Sequence, residues 1–194
     1  KSGESDNRGP DKNIKARSNL AETAFFFPQL QTNENGEIII KFTIPEALTR
    51  WKMMGLAHTK ELQYGNITNE LVTQKELMVM PNAPRFFREN DRMTFSAKVS
   101  NLSAGDMKGK AQLFLYDATT MQDITRRMIE QSHGAGEAVE DLNSGIVSFS
   151  AKKGLSAALN WNITIPEGVG AILYKVIASA GSYSDGEEAA LPVL

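Results

Sequence analysis

The chain has 194 residues, 41% of them hydrophobic, and a formal net charge of −2 with both signs mixed along the sequence. This excludes a strongly basic binder of nucleic acid or anionic lipid, and nine Phe, four Tyr and two Trp exclude a disordered composition. With no Cys there is no disulfide, thiolate metal site or cysteine nucleophile, and no apolar run approaches the roughly 20 residues of a membrane span.

Residues 1–17 (KSGESDNRGPDKNIKAR) carry Gly, Pro, Ser and alternating charges with almost nothing apolar. They read as a linker or exposed loop, and they lack the apolar core of a signal peptide. From Glu22 the pattern turns to β. The Phe25–Phe27 run ends at Pro28, and Asn33 to Gly36 (NENG) is a tight-turn signal. Ile38, Ile40, Phe42 and Ile44 then alternate with Ile39, Lys41 and Thr43, which predicts a strand with one buried face, ended by Pro45. A third strand is expected over Trp51 to Thr59, with Tyr64 to Thr68 as a turn.

A second β series starts near Glu76, which puts the boundary between modules at about residues 70–77. Met93, Phe95, Ala97 and Val99 alternate with polar residues, and Gln112 to Tyr116 is an apolar run suited to a central strand. Leu155 to Ile165 is the cleanest half-buried strand, with Leu155, Ala157, Leu159, Trp161, Ile163 and Ile165 on one side. Ala171 to Ala180 (AILYKVIASA) is apolar on both faces, as expected for a strand covered on both sides. Glu187 to Leu194 closes the series. Asp123 to Glu140 breaks the pattern and reads as a long loop with one or two helical turns around Ile124, Met128 and Ile129, ended by Gly134-Ala135-Gly136. Short strands spaced by turns predict an all-β, antiparallel β-sandwich of the immunoglobulin or fibronectin kind.

Chemistry-bearing residues are sparse. His58 and His133 have no Cys or carboxylate cluster beside them in sequence, so both read as surface or packing residues rather than metal ligands. Ser182, Asp185, Glu187 and Glu188 lack the offsets of a calcium loop, and Asp185-Gly186 reads as a solvated β-turn. Asn66-Ile67-Thr68, Asn101-Leu102-Ser103 and Asn162-Ile163-Thr164 are glycosylation sequons; Asn66 and Asn101 read as turn residues and Asn162 as outward-facing. Phe25 to Phe27, Trp51 and Trp161 read as core. No Ser/His/Asp spacing, metal motif or phosphate loop points to an enzyme, so no catalytic, cofactor or metal residue is assigned.

Glu22 to Pro28 (ETAFFFP), followed by Pro45 to Lys52 (PEALTRWK), resembles a signature of the alpha-2-macroglobulin family, in the form of its bacterial, Bacteroides-type branch. The animal members differ in having Trp after the Phe-Pro pair. Ser184-Asp185-Gly186 is similar to the end of the family's next sandwich module. The residues that carry the resemblance are Phe25, Phe27, Pro28, Pro45, Thr49, Trp51, Asp185 and Gly186. It implies an endopeptidase inhibitor that traps a protease: an exposed bait segment is cut and the molecule collapses around the enzyme. It further implies that residues 1–17 are the end of the bait region or the linker after it, with Lys12, Lys15 and Arg17 open to trypsin-like enzymes. Residues 18–75 would be a partial macroglobulin-like module and residues 76–194 a complete one, with any thioester domain beyond Leu194.

The implied role is non-catalytic scaffolding. Partners would be target proteases, met through the full-length parent, and other domains of the same chain, with no nucleic acid and no membrane span in this stretch. The implied location is periplasmic or extracellular, with a signal or lipid anchor outside this sequence. The rival reading is a cell-surface adhesion or carbohydrate-binding sandwich, which needs an exposed aromatic platform.

Overall fold

A computed structural model of the chain describes residues 9–130 and 144–194. They divide into two compact units, one of residues 17–74 and one of residues 75–194 together with the N-terminal stretch up to Ala16. The sequence-level expectations for His133 and for Gly134 to Glu140 lie outside the described residues.

The smaller unit contains one hairpin, β1 (Arg50–His58) and β2 (Tyr64–Val72), paired antiparallel with Trp51 opposite Leu71 and Gly55 opposite Ile67. The expected strand at Trp51 is therefore present, but Tyr64 to Thr68 is the start of β2 and not a turn. The reversal lies at residues 59–63, where Leu62 takes a positive φ of 64° and the Leu62 N–H donates to the Thr59 carbonyl. The Asn33 to Gly36 turn forms as expected: the Gly36 N–H donates to the Asn33 carbonyl and Gly36 has φ 76°. The Ile38 to Ile44 strand does not form, and Ile38, Ile39 and Phe42 are exposed. Alternation creates an apolar face, but a strand also needs a neighbour to pair its backbone groups.

The larger unit is a seven-stranded antiparallel sandwich. Its strands are β3 (Leu77–Pro81), β4 (Arg92–Asn101), β5 (Met107–Asp117), β6 (Ile146–Ala151), β7 (Ser156–Thr164), β8 (Ala171–Ala180) and β9 (Tyr183–Pro192). One sheet has the order β3-β4-β7 and the other β6-β5-β8-β9. A short helix, α1 (Thr125–Glu130), lies between β5 and β6, and Ile124, Met128 and Ile129 are all buried. The period-two strands behave as their patterns require. Along β7 the burial alternates through Leu159, Trp161 and Ile163, and β4 places Ala97, Phe95 and Met93 opposite them. The facing sheet supplies Leu113, Leu115, Tyr174 and Val176.

Trp161 sits at the centre of this interior, 1% exposed. Its ring centroid lies 6.4 Å from that of Phe95, and Phe95 lies 5.3 Å from Tyr174 across the sandwich. The indole Nε1–H donates to the Gly145 carbonyl at 2.8 Å, so the one polar atom of the ring is satisfied inside the core. Trp161→Ala should destabilise the larger unit by about 3–5 kcal/mol, the usual cost of deleting a buried aromatic. Trp51 is only half-buried, so Trp51→Ala should cost about 1 kcal/mol, typical of an average substitution. Denaturant unfolding of the two variants, followed by circular dichroism, checks the difference.

Candidate functional site

In the smaller unit the stretch from Pro45 to Trp51 ties separate segments together. The Glu46 carboxylate accepts from the backbone N–H groups of Ser18 and Asn19 at 3.0 and 3.2 Å, and the Glu46 N–H returns a bond to the Asn19 carbonyl at 2.8 Å. Pro45 is buried. Thr73 is a hub that sequence reading missed. Its hydroxyl donates to the Ala47 carbonyl at 2.8 Å and accepts from the Trp51 indole N–H at 3.0 Å and the Thr49 N–H at 3.2 Å. A lone Thr between strands carries no local signal, because its partners are 22 to 26 residues away.

The Phe cluster departs from the expected core placement. Phe25 is half-buried between Phe27, at a centroid distance of 5.4 Å, and Phe42, at 4.4 Å, while Phe27 and Pro28 are exposed and Phe26 is 80% exposed. Trp51 is likewise half-buried and not core. The cause is the small area of a two-stranded ribbon, which has no second layer to cover both faces.

Asp185 and Gly186 also move relative to expectation. They are not a turn but lie inside β9, and the reversal is the two-residue Gly181-Ser182 connection, where Gly181 has φ 59°. The Asp185 side chain is fully buried. Its Oδ1 accepts from the Lys75 ammonium at 2.9 Å and its Oδ2 from the Val79 backbone N–H at 2.9 Å. The carboxylate thus joins the edge strand β3 to β9 of the opposite sheet and holds the residue that begins the larger unit. Asn101, also read as a turn residue, is buried: its Nδ2 donates to the carbonyls of Gly105 and Ala151, and its Oδ1 accepts from the Ser103 N–H and hydroxyl. Its sequon is therefore closed to modification in the folded chain. Asn66 is exposed in β2, and Asn162 is exposed on β7, where it accepts from Thr94.

Of the three basic residues assigned to the bait, Lys12 and Lys15 have exposed side chains and Arg17 is buried. Two acid–base groups depart from their ordinary values. Burial, followed by the nearby charges of Asp123 and Glu188, pushes the Tyr116 phenol up. The N–H groups of Thr119 and Thr120 hold the exposed Asp117 carboxyl below its usual range. Both causes are structural. Among the described residues no three His, Asp or Glu side chains converge as metal ligands, and no helix is long and apolar enough to cross a membrane.

This arrangement of signature, hairpin and sandwich has relatives. The model of the alpha-2-macroglobulin family matches residues 23–113. An alpha-2-macroglobulin of Thermotoga maritima is 30% identical over 88 residues, covering 45% of this chain and 6% of that protein. These matches show that residues 23–113 are similar to the alpha-2-macroglobulin family. A Dictyostelium discoideum protein named Circularly permutated Ras protein 2 is 26% identical over 178 residues, covering 91% of this chain and 4% of that one. The structure of trypsin-activated alpha-2-macroglobulin from Escherichia coli has a TM-score of 0.60 to this chain at 17% identity, covering 84% of this chain and 10% of that one, a likeness that shows the macroglobulin-like fold. The chain spans only a small part of each of these proteins.

Within the sandwich of the larger unit, Asp185→Ala should cost about 1–3 kcal/mol, because it leaves the buried Val79 N–H without this acceptor. Asp185→Asn keeps an acceptor and should cost less. Urea unfolding of both variants reads the order.

Proposed function

We propose that this chain is a non-catalytic scaffold segment of a larger protease-trapping protein. The observation that carries the reading is the family match, which starts at Thr23 in the hairpin unit, runs through residue 75 and ends at Leu113 inside the sandwich. In this reading residues 18–75 are the latter part of a macroglobulin-like module and residues 76–194 the next, complete one. The exposed apolar groups of the smaller unit support that division. Met54, Leu56 and Tyr64 on one face of the hairpin and Ile67 and Leu71 on the other are all open to solvent. A binding platform concentrates aromatics on one face, whereas exposure on both faces fits a ribbon awaiting the remaining strands of its sandwich. The rest of the parent protein would supply them, making other domains of the same protein the first partners.

The mechanism needs no nucleophile here. A protease requires an extended, unprotected backbone, and a cut at or before residues 1–17 removes a covalent tether. Packed modules on either side of the cut are then free to adopt a new arrangement. The Escherichia coli alpha-2-macroglobulin that shares this fold is named as trypsin activated, which fits a parent protein that meets proteases. A periplasmic or extracellular site would expose the parent to such proteases.

Limited trypsin digestion of the full-length parent, read by mass spectrometry and small-angle scattering, tests the proposal. First cuts should fall before Gly9, within residues 1–8 or just upstream, and be followed by compaction. First cuts at Arg126 or Arg127 in α1, or cleavage with no change of shape, would overturn it.

A further inference from the structure

The strands of the larger unit's four-stranded sheet carry two buried sets of side chains, and only one belongs to the interior. Along β5, Leu113 and Leu115 face the core, so Gln112, Phe114 and Tyr116 point away from it. Along β8, Tyr174, Val176 and Ala178 face the core, so Lys175 and Ile177 point away. Yet Phe114 is 3% exposed and Ile177 is 0% exposed. Outward-facing apolar side chains reach such burial only under a cover.

The cover is the N-terminal stretch of the same unit. Ile146, Gln112, Ile177 and Gly186 stand opposite one another in register, forming a row across all four strands from β6 to β9. Residues 9–16 follow that row. Gly9 meets its start: a Cβ there would stand 2.7 Å from the Gln112 side-chain oxygen and 2.8 Å from the Ile146 side chain. Ala16, itself buried, meets its end: a Cβ on Gly186 would stand 3.3 Å from the Ala16 Cα. Between them Pro10 is buried, and a turn at residues 11–14 is closed by the Ile14 N–H on the Asp11 carbonyl and the Asn13 N–H on the Asp11 carboxylate. The neighbouring row adds polar contacts. The Lys12 ammonium lies 5.6 Å from the Phe114 ring centroid, a cation–π distance, and the Lys175 ammonium donates to the Lys12 carbonyl at 3.5 Å. A glycine on each side of the contact lets the two backbones approach.

We infer that the outer face of the β6-β5-β8-β9 sheet is a docking surface whose occupant is residues 9–16 of the same chain, held as a strap across the sandwich. The inference rests on the packing of the larger unit alone and stands whether or not the parent traps proteases. Its consequence is specific. A chain cut before Gly9 keeps its new N-terminus fastened to the sandwich, and the bonds after Lys12 and Lys15 resist proteolysis although their side chains are exposed.

The test is the trypsin cleavage rate after Lys12, measured by mass spectrometry in the 194-residue chain. The bond after Lys60, in the exposed reversal between β1 and β2, serves as the internal standard. Cleavage after Lys12 should be at least about tenfold slower than after Lys60, since protected backbone must open before it is cut. Two variants lift the strap from opposite sides. Gly186→Val places a side chain against the outward-facing Ile177 and the Ala16 backbone, and Ala16→Glu forces a carboxylate into the contact without touching the sandwich core. Each should raise the Lys12 rate about tenfold or more and increase binding of an apolar fluorescent dye, with Trp161 emission unchanged. Equal rates after Lys12 and Lys60 in the unsubstituted chain would overturn the inference. So would an unchanged Lys12 rate in Ala16→Glu.

Discussion

The interior of the larger unit depends on the placement of the Trp161 indole. Its burial requires a partner for Nε1–H, and the Gly145 carbonyl supplies it. Gly145 reaches that position with φ 72°, and its carbonyl also accepts from the Leu113 N–H on β5. A Cβ on Gly145 would stand 2.4 Å from the Leu113 carbonyl oxygen, so the close approach requires glycine. One indole thereby couples β7 of one sheet to the β5–β6 side of the other, and Phe95 and Tyr174 continue the packing between the sheets.

The smaller unit shows what happens without such a centre. Its two strands pair over nine positions, but every residue of β2 is exposed, and on β1 only Trp51, Met53 and Gly55 reach partial burial. Hydrogen bonds hold the ribbon where packing does not. Thr73 gathers Ala47, Thr49 and Trp51, and Glu46 captures the chain at Ser18 and Asn19. Such bonds contribute about 1 kcal/mol each, far less than a buried layer of side chains. The family signature therefore marks a polar knot rather than a hydrophobic core.

Three buried polar side chains define the joins of the larger unit. Asp185 links β9 to β3, Asn101 ties the end of β4 to β6, and Thr125 bridges the helix to β5 through the Leu115 N–H. Each costs desolvation and is retained with its partners in place, so each specifies which segments meet.

Sequence alone determined the all-β class, the strands β4, β5, β7 and β8, the burial of Phe95 and Trp161 and the resemblance to the alpha-2-macroglobulin family, because period-two alternation and short motifs are local properties. It also determined that Ala171 to Ala180 is covered on both faces. Tertiary structure alone decided what the cover is. Residues 9–16 are mostly polar and irregular, and the burial of Pro10 and Ala16 depends on a row of side chains assembled from four strands more than 90 residues away. Tertiary structure also decided against the Ile38 to Ile44 strand and the Phe26 core position, since an apolar face is buried only where a partner exists. It placed Asp185 in the interior for the converse reason. Asp-Gly is locally a turn signal, but Lys75, just before β3, and the Val79 N–H of β3 satisfy the carboxylate, and that pairing spans 106 to 110 residues of chain.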